Sequence, residues 1–251
     1  MLKYYEVILD LGCFTRQDLE GIISNKKTIN SLLLRYKKNK FIKRVKQNYY
    51  VAMDIVNNEP VDNKYVIASK LSKSNYIAYH SALEYYGYNN QVFNEVTFCG
   101  TTRVIDFEFE NIEYHFVASK CDIQIIKNYD GVRISTIERT IVDCIDHIDL
   151  AGGIEEVYRA LDAIYNIDEK KLVEMLDFYQ KKVLYQRAGY ILETFKDNLK
   201  ISDSTLDYLK SKIDSSKCYL ISSRKEGNTT LDKKWNVCVP AYLSSILPKG
   251  V

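Results

Sequence analysis

Ser24 to Tyr50, SNKKTINSLLLRYKKNKFIKRVKQNYY, narrows the possible folds more than any other stretch of the chain. It holds nine cations (Lys26, Lys27, Arg35, Lys37, Lys38, Lys40, Lys43, Arg44 and Lys46), and although 33 of the 251 residues are acidic, none falls here. Ile29, Leu32, Leu33 and Tyr36 recur at helical spacing, so one face of a helix packs inward while Lys26, Lys27, Asn30, Arg35 and Lys38 point elsewhere. After Lys38-Asn39-Lys40 the period becomes strand-like. Phe41 to Val45 is followed by a polar turn, Lys46-Gln47-Asn48, and then by Tyr49-Tyr50-Val51. A basic helix followed by a basic hairpin predicts a recognition helix and a wing. The turn has no glycine, and Asn48 is the residue that tolerates the left-handed conformation in its place.

The flanking residues extend this pattern. Residues 2–11 predict a short helix with Leu2, Tyr5, Ile8 and Leu9 inward, stopped at Gly12 by a left-handed cap. Thr15 with Asp18 reads as a capping box opening a second helix that buries Leu19 and Ile22, and Ser24-Asn25 caps the third. Helix, turn, helix, turn, basic helix and hairpin is the order of a winged helix-turn-helix. Charge is partitioned to match. Residues 1–56 hold 11 Lys+Arg against 5 Asp+Glu, and residues 57–251 hold 24 against 28. A basic head on a mildly acidic body points to a localised polyanion contact.

A breaker at 57–61 (Asn57-Asn58-Glu59-Pro60) predicts a boundary: residues 1–56 as the DNA-binding domain and 62–251 as a second domain. Within the second, 62–150 reads as α+β and 151–251 as mainly helical. Asp62 is expected to cap a helix to about Leu71, and another helix spans Tyr79 to Tyr86. Strands are expected at 95–99, 103–109, 112–118, 123–127 and 132–134. Ser135-Thr136-Ile137-Glu138 has the S-x-x-E form of a capping box and opens a helix with Ile137, Ile141, Cys144, Ile145 and Ile148 inward. Further helices follow to about residue 213, and the tail is extended. Strands and helices segregate, so the fold class is α+β, with a small antiparallel sheet.

On this reading the proposed DNA contacts are Lys26, Lys27, Thr28, Asn30, Ser31, Arg35, Lys38, Lys43, Arg44, Lys46, Gln47 and Asn48. Lys and Arg neutralise phosphates and release counterions, giving sequence-independent affinity. Thr28, Asn30 and Ser31, near the helix start, are the candidates for base edges, and Gln47 and Asn48 for the flanking groove. A solvated charged face beside a hairpin is the competing reading.

Catalytic patterns are sparse. Asp106 and Glu108 lie two apart on an expected strand, as a metal-dependent nuclease requires, but the cation expected two residues later is Glu110. His80, His115 and His147 lack metal-ligand spacing, and no phosphate loop or nucleophile elbow occurs. The expectation is therefore no enzyme, no cofactor and no metal. A DNA-tethered nuclease or phosphodiester enzyme is the alternative, and a protein-binding adaptor is a third reading. The six cysteines form no C-x-x-C pair and read as buried free thiols of a reducing cytoplasm. No apolar run reaches the ~20 residues that span a bilayer, and no signal-peptide layout opens the chain.

Three stretches, Ser81-Ala82-Leu83-Glu84-Tyr85-Tyr86-Gly87, Val132 to Asp143 (VRISTIERTIVD) and Gln186 to Glu193 (QRAGYILE), taken in order behind the basic head, resemble the AbiEi-type antitoxin transcriptional regulators. The resemblance covers most of residues 1–200. It implies an antitoxin of a type IV toxin–antitoxin pair in abortive phage infection. Such a protein represses its own operon by binding inverted repeats in double-stranded DNA. It counters a nucleotidyltransferase-like toxin without a stable direct complex, and no membrane is involved. Arg139 and Arg187, within the resembling stretches, are the candidates for an antitoxin surface. A capping and packing role for Ser135 to Asp143 is the alternative.

Overall fold

The structure, a computed structural model, describes residues 3–89, 93–119, 123–128, 130–221 and 228–245. Leu2 and Cys121 lie outside the described residues. The protein is a mixed α+β chain that divides into two compact units, Met1–Ile77 with Phe93–Ile134, and Ala78–Val92 with Ser135–Val251. The boundary expected at 57–61 lies inside the first unit.

The first unit opens with α1 (Tyr5–Leu11), β1 (Cys13–Thr15), α2 (Arg16–Glu20), α3 (Lys26–Lys38), β2 (Ile42–Lys46), β3 (Tyr49–Asp54) and β4 (Glu59–Pro60). β3 is central in a small sheet, antiparallel to β1, β2 and β4. Ile8, Phe14, Leu19, Ile23, Ile29, Leu32, Tyr36 and Ile42 fill the core beneath it. The Thr15–Asp18 capping box forms as expected, and Asn25 caps α3. The second helix stops at Glu20, so the chain turns before the next apolar residue. Ile23 is therefore buried and Ile22 exposed, the reverse of the helical extrapolation. Gly12 takes a φ of +63°, and a Cβ there would fall 2.3 Å from the Asp62 carboxylate. That carboxylate accepts from the Cys13 N–H at 2.6 Å and from Lys70 Nζ at 3.1 Å. Asp62 is thus drawn away from the cap it was expected to make, and Asn63 caps α4 (Lys64–Ser69) instead.

A six-stranded sheet completes this unit: β5 (Tyr76–Ile77), β6 (Glu95–Gly100), β7 (Phe107–Phe109), β8 (Ile112–Ala118), β9 (Ile125–Lys127) and β10 (Arg133–Ser135), in the order β7-β8-β6-β5-β10-β9. It is mixed rather than antiparallel, because β6 pairs β8 in parallel and β5 pairs β10 in parallel. The reason is local. Glu110 and Asn111, both at positive φ, close a two-residue hairpin between β7 and β8. That hairpin puts β7 outermost and leaves β8 beside β6, running the same way.

In the second unit α6 (Ile137–Asp146) is central, packing against α5 (Tyr79–Tyr85), α7 (Ile154–Ala163), α8 (Glu169–Tyr179) and α9 (Lys182–Thr194). Then come α10 (Lys196–Leu199), α11 (Asp203–Ser211) and a three-stranded sheet of β11 (Cys218–Tyr219), β12 (Thr229–Asp232) and β13 (Val237–Pro240), with β13 in the middle. Ser135 does not cap α6. The helix starts later, Thr136 is its N-cap, Ser135 Oγ lies 2.7 Å from Thr140 Oγ1, and Glu138 accepts from the Asp168 N–H. Of the described cysteines, Cys13, Cys99, Cys144 and Cys218 are buried free thiols and Cys238 is half-buried. No helix among the described residues is long and apolar enough to cross a membrane.

Candidate nucleic-acid interface

α3 is held at its start by the Asn25 side chain, whose Oδ1 accepts from the N–H groups of Lys27 (2.9 Å) and Thr28 (3.3 Å). That bond satisfies donors that a helix N-terminus leaves open. Ile29, Leu32, Leu33 and Tyr36 are buried, as the spacing predicted. Tyr36 also donates through its hydroxyl to the Lys3 carbonyl, which ties the helix to the start of the chain. Fixing that face fixes the others. Lys27, Ser31, Leu34 and Lys38, at i, i+4, i+7 and i+11, form one exposed stripe opposite the core. Asn30 and Lys37 flank it on one side, and Thr28 and Arg35 on the other.

The side bearing Asn30 and Lys37 faces the β2–β3 hairpin across a cleft of about 430 Å³, lined by Arg16, Asn30, Leu33, Leu34, Lys37, Arg44, Asn48 and Tyr50. Three of its eight residues are cations and none is an acid. The Tyr50 ring is held by stacking on Phe14 at 5.7 Å. Of the residues proposed from sequence, the cleft gathers Asn30, Arg44 and Asn48. Arg16, Leu34, Lys37 and Tyr50 were missed there, although Leu34 and Lys37 sit at i+4 and i+7 from Asn30. A leucine off the apolar stripe was the signal for the first of them.

The remaining proposed contacts are dispersed. Lys26, Lys27, Thr28, Ser31 and Lys38 are exposed along α3, and Gln47 is exposed in the hairpin turn. Arg35 lies over the Tyr36 ring at 5.4 Å, on the side away from the cleft. Lys43 is drawn to Glu110 at 2.9 Å. Lys46 donates to the Ile105 carbonyl at 3.2 Å and sits 4.9 Å over the Phe107 ring. Partial burial lowers the Lys46 pKa, with Asp106 acting in the opposite direction. Both lysines therefore bind the hairpin to the larger sheet. Asn48 takes the left-handed conformation at φ 59°. Its amide donates to Gln17 at 2.8 Å and its oxygen accepts from the Arg16 N–H at 3.3 Å, so it braces the turn against α2.

Neither expected antitoxin residue is a simple surface cation. Arg139 has no exposure at all and pairs with Asp143 at 3.2 Å inside the helical unit, which removes it from any surface. The two lie one turn apart on α6, which packs against four other helices, so the pair is interior. Arg187 is half-buried beside a cavity of about 660 Å³, donating to the carbonyls of Tyr219 (2.9 Å) and Asp146 (3.4 Å).

The Asp106 and Glu108 pair is also separated. Asp106 precedes β7 rather than lying on it, and its carboxylate accepts from the Phe116 N–H at 2.9 Å and meets His115 at 3.2 Å. Among the described residues, no group of three or more His, Cys, Asp or Glu side chains is arranged to hold a metal ion.

No family model matches the chain, and no curated protein matches it. Among solved structures, the crystal structure of the RV2827C protein from Mycobacterium tuberculosis is similar, with a TM-score of 0.65, over 94% of this chain and 90% of that one, at 12% identity. At that identity the likeness is one of fold.

Proposed function

We propose that residues 1–56 form a winged helix-turn-helix, with α2 and α3 as its helix pair and the β2–β3 hairpin as its wing, and that the chain is a DNA-binding autorepressor. The observation that carries this reading is the cleft between α3 and the hairpin, lined by Lys37, Arg44 and Arg16 (itself paired with Glu20 at 3.5 Å) and by no acid, beside the exposed face of a capped helix. Cations on three elements lining one groove suit a phosphodiester strand lying between them. The neighbouring stripe of Lys27, Ser31, Leu34 and Lys38 would then meet the base edges. Exposed Lys and Arg dominate the contact, so affinity falls steeply with salt.

The resemblance to AbiEi-type regulators supplies the rest of the proposal. The protein acts in the cytoplasm as the antitoxin of a type IV pair in phage defence. It binds inverted repeats upstream of its own gene and opposes a nucleotidyltransferase-like toxin without a lasting complex. The test is a gel shift with the duplex upstream of the gene and a scrambled duplex of equal length, over a salt series. Specific retardation is expected. Lys37→Glu with Arg44→Glu should weaken it more than tenfold and flatten the salt slope by about two ions. Unaltered retardation by a folded double variant would remove the cleft from the interface. Equal binding of both duplexes would remove the repressor role.

A further inference from the structure

Leu34 is 69% exposed at the middle of α3. Single exposed leucines are ordinary on protein surfaces, and its position is what makes this one informative. Ile29, Leu32, Leu33 and Tyr36 fill the inner face of the helix, and Leu34 adds nothing to that core. It stands on the opposite stripe with Lys27, Ser31 and Lys38, and also borders the cleft with Asn30, Lys37 and Arg44. An apolar side chain framed by cations and one amide has few partners that satisfy both characters. A DNA duplex offers both, since its phosphates meet the cations and its major groove carries one apolar edge group, the thymine 5-methyl.

Resting on the DNA-binding reading above, we infer that Leu34 is a specificity-determining residue that packs on a thymine methyl in the major groove. Asn30, one turn earlier at i−4, projects from the same side of the helix. Its amide can donate through Nδ2 to adenine N7 and accept through Oδ1 from the adenine N6 amino group. The two residues make this helix a reader of A·T pairs, with the cations holding register on the backbone.

The experiment uses the full chain. Bound duplexes are selected from a random pool, and each thymine of the selected site is replaced singly by deoxyuridine, which removes only the methyl. One such replacement should weaken wild-type binding about 3–10-fold, the scale of one buried methyl contact. Leu34→Ala, a change that an exposed helix position tolerates, should weaken binding to the thymine duplex by a similar factor and lose sensitivity to the deoxyuridine. A selected site indifferent to every deoxyuridine would overturn the inference while leaving DNA binding in place, as would a Leu34→Ala protein that keeps the wild-type sensitivity. If Leu34→Ala instead changes sedimentation and leaves discrimination intact, the leucine belongs to a contact between copies and the inference falls. Failure to select any sequence, with binding indifferent to salt, would reject the DNA-binding reading itself.

Discussion

Arg139 carries a guanidinium into a fully buried position, where it pairs with Asp143, one turn on, at 3.2 Å. Asp143 is itself held by the Tyr179 hydroxyl, which donates to it at 2.5 Å. Such a pair adds little net stability over a well-packed apolar replacement, but removing one partner strands the other charge. Arg139→Ala should therefore cost about 3–5 kcal/mol in urea unfolding, and Arg139→Met combined with Asp143→Leu should recover a good part of it. A variant that keeps its unfolding midpoint would overturn the assignment of a stability-bearing buried pair. At this scale the sequence was partly legible. Asn48 was readable as the left-handed residue of its turn, whereas Arg139 was read as a candidate surface residue. What spacing lacks is depth. Whether a polar residue on a helix meets water depends on how many elements cover that helix, and α6 is covered by four.

Elements show the same division between local and non-local causes. α3 was legible because its apolar stripe, its cap and its charge all lie within one short segment. The QRAGYILE stretch of α9 was visible only as a resemblance, and the structure gives it a physical task. A Cβ on Gly189 would fall 2.1 Å from the buried Trp235 ring. Gln186 donates to the carbonyls of Ser216 and Trp235, and Glu193 accepts from the Trp235 indole at 2.7 Å. Three residues of the helix thus hold a tryptophan more than forty positions away, a relation that no periodicity encodes.

The strand cluster around His115 yields a pH prediction. Partial burial pulls the imidazole pKa down, but the hydrogen bond and charge of Asp106, with Glu95 and Glu113, outweigh it and raise the value. Asp106 is correspondingly held low: burial pushes it up, and the Phe116 N–H and the His115 ring more than offset that. Because the folded state holds the His115 proton more tightly, its stabilisation is complete below the unfolded value of about 6.5 and is lost as pH rises through the raised folded value. Unfolding midpoints should fall across that window, and Asp106→Asn, which keeps an acceptor for Phe116, should flatten the fall. An NMR titration of His115 at or below the ordinary midpoint would contradict this.

For the whole molecule, the α+β class was legible because strands and helices segregate along the chain. The division into two units was not, since each unit takes two separated segments, and β5, one of the strands in the larger sheet, is two residues long. The break at 57–61 looked like a domain boundary because Asn, Glu and Pro interrupt the pattern, but β3 and β4 pair across that turn. The bonds that secure the basic head end beyond it. The Cys13 N–H donates to Asp62 at 2.6 Å, the Tyr49 hydroxyl to the Ile67 carbonyl at 2.9 Å, Lys43 to Glu110 at 2.9 Å and Lys46 to the Ile105 carbonyl at 3.2 Å. A fragment of residues 1–61 retains α3 and the hairpin and loses all four. The Tyr49 hydroxyl is buried in the full chain, and exchanging such a hydrogen bond for one to water costs about 0.5–1.5 kcal/mol. The two lysine contacts are exposed and add little to stability, but they set where the hairpin lies against the larger sheet. The fragment should therefore unfold at lower urea than the full chain, and the β3 amides around Tyr49 and Val51 should exchange faster. On the DNA-binding reading proposed above, its DNA affinity should drop in step with the folded fraction. A fragment that matches the full chain in midpoint and amide protection would show that the head is an autonomous domain ending at the break, and that its links to Asp62, Ile67, Ile105 and Glu110 carry no stability.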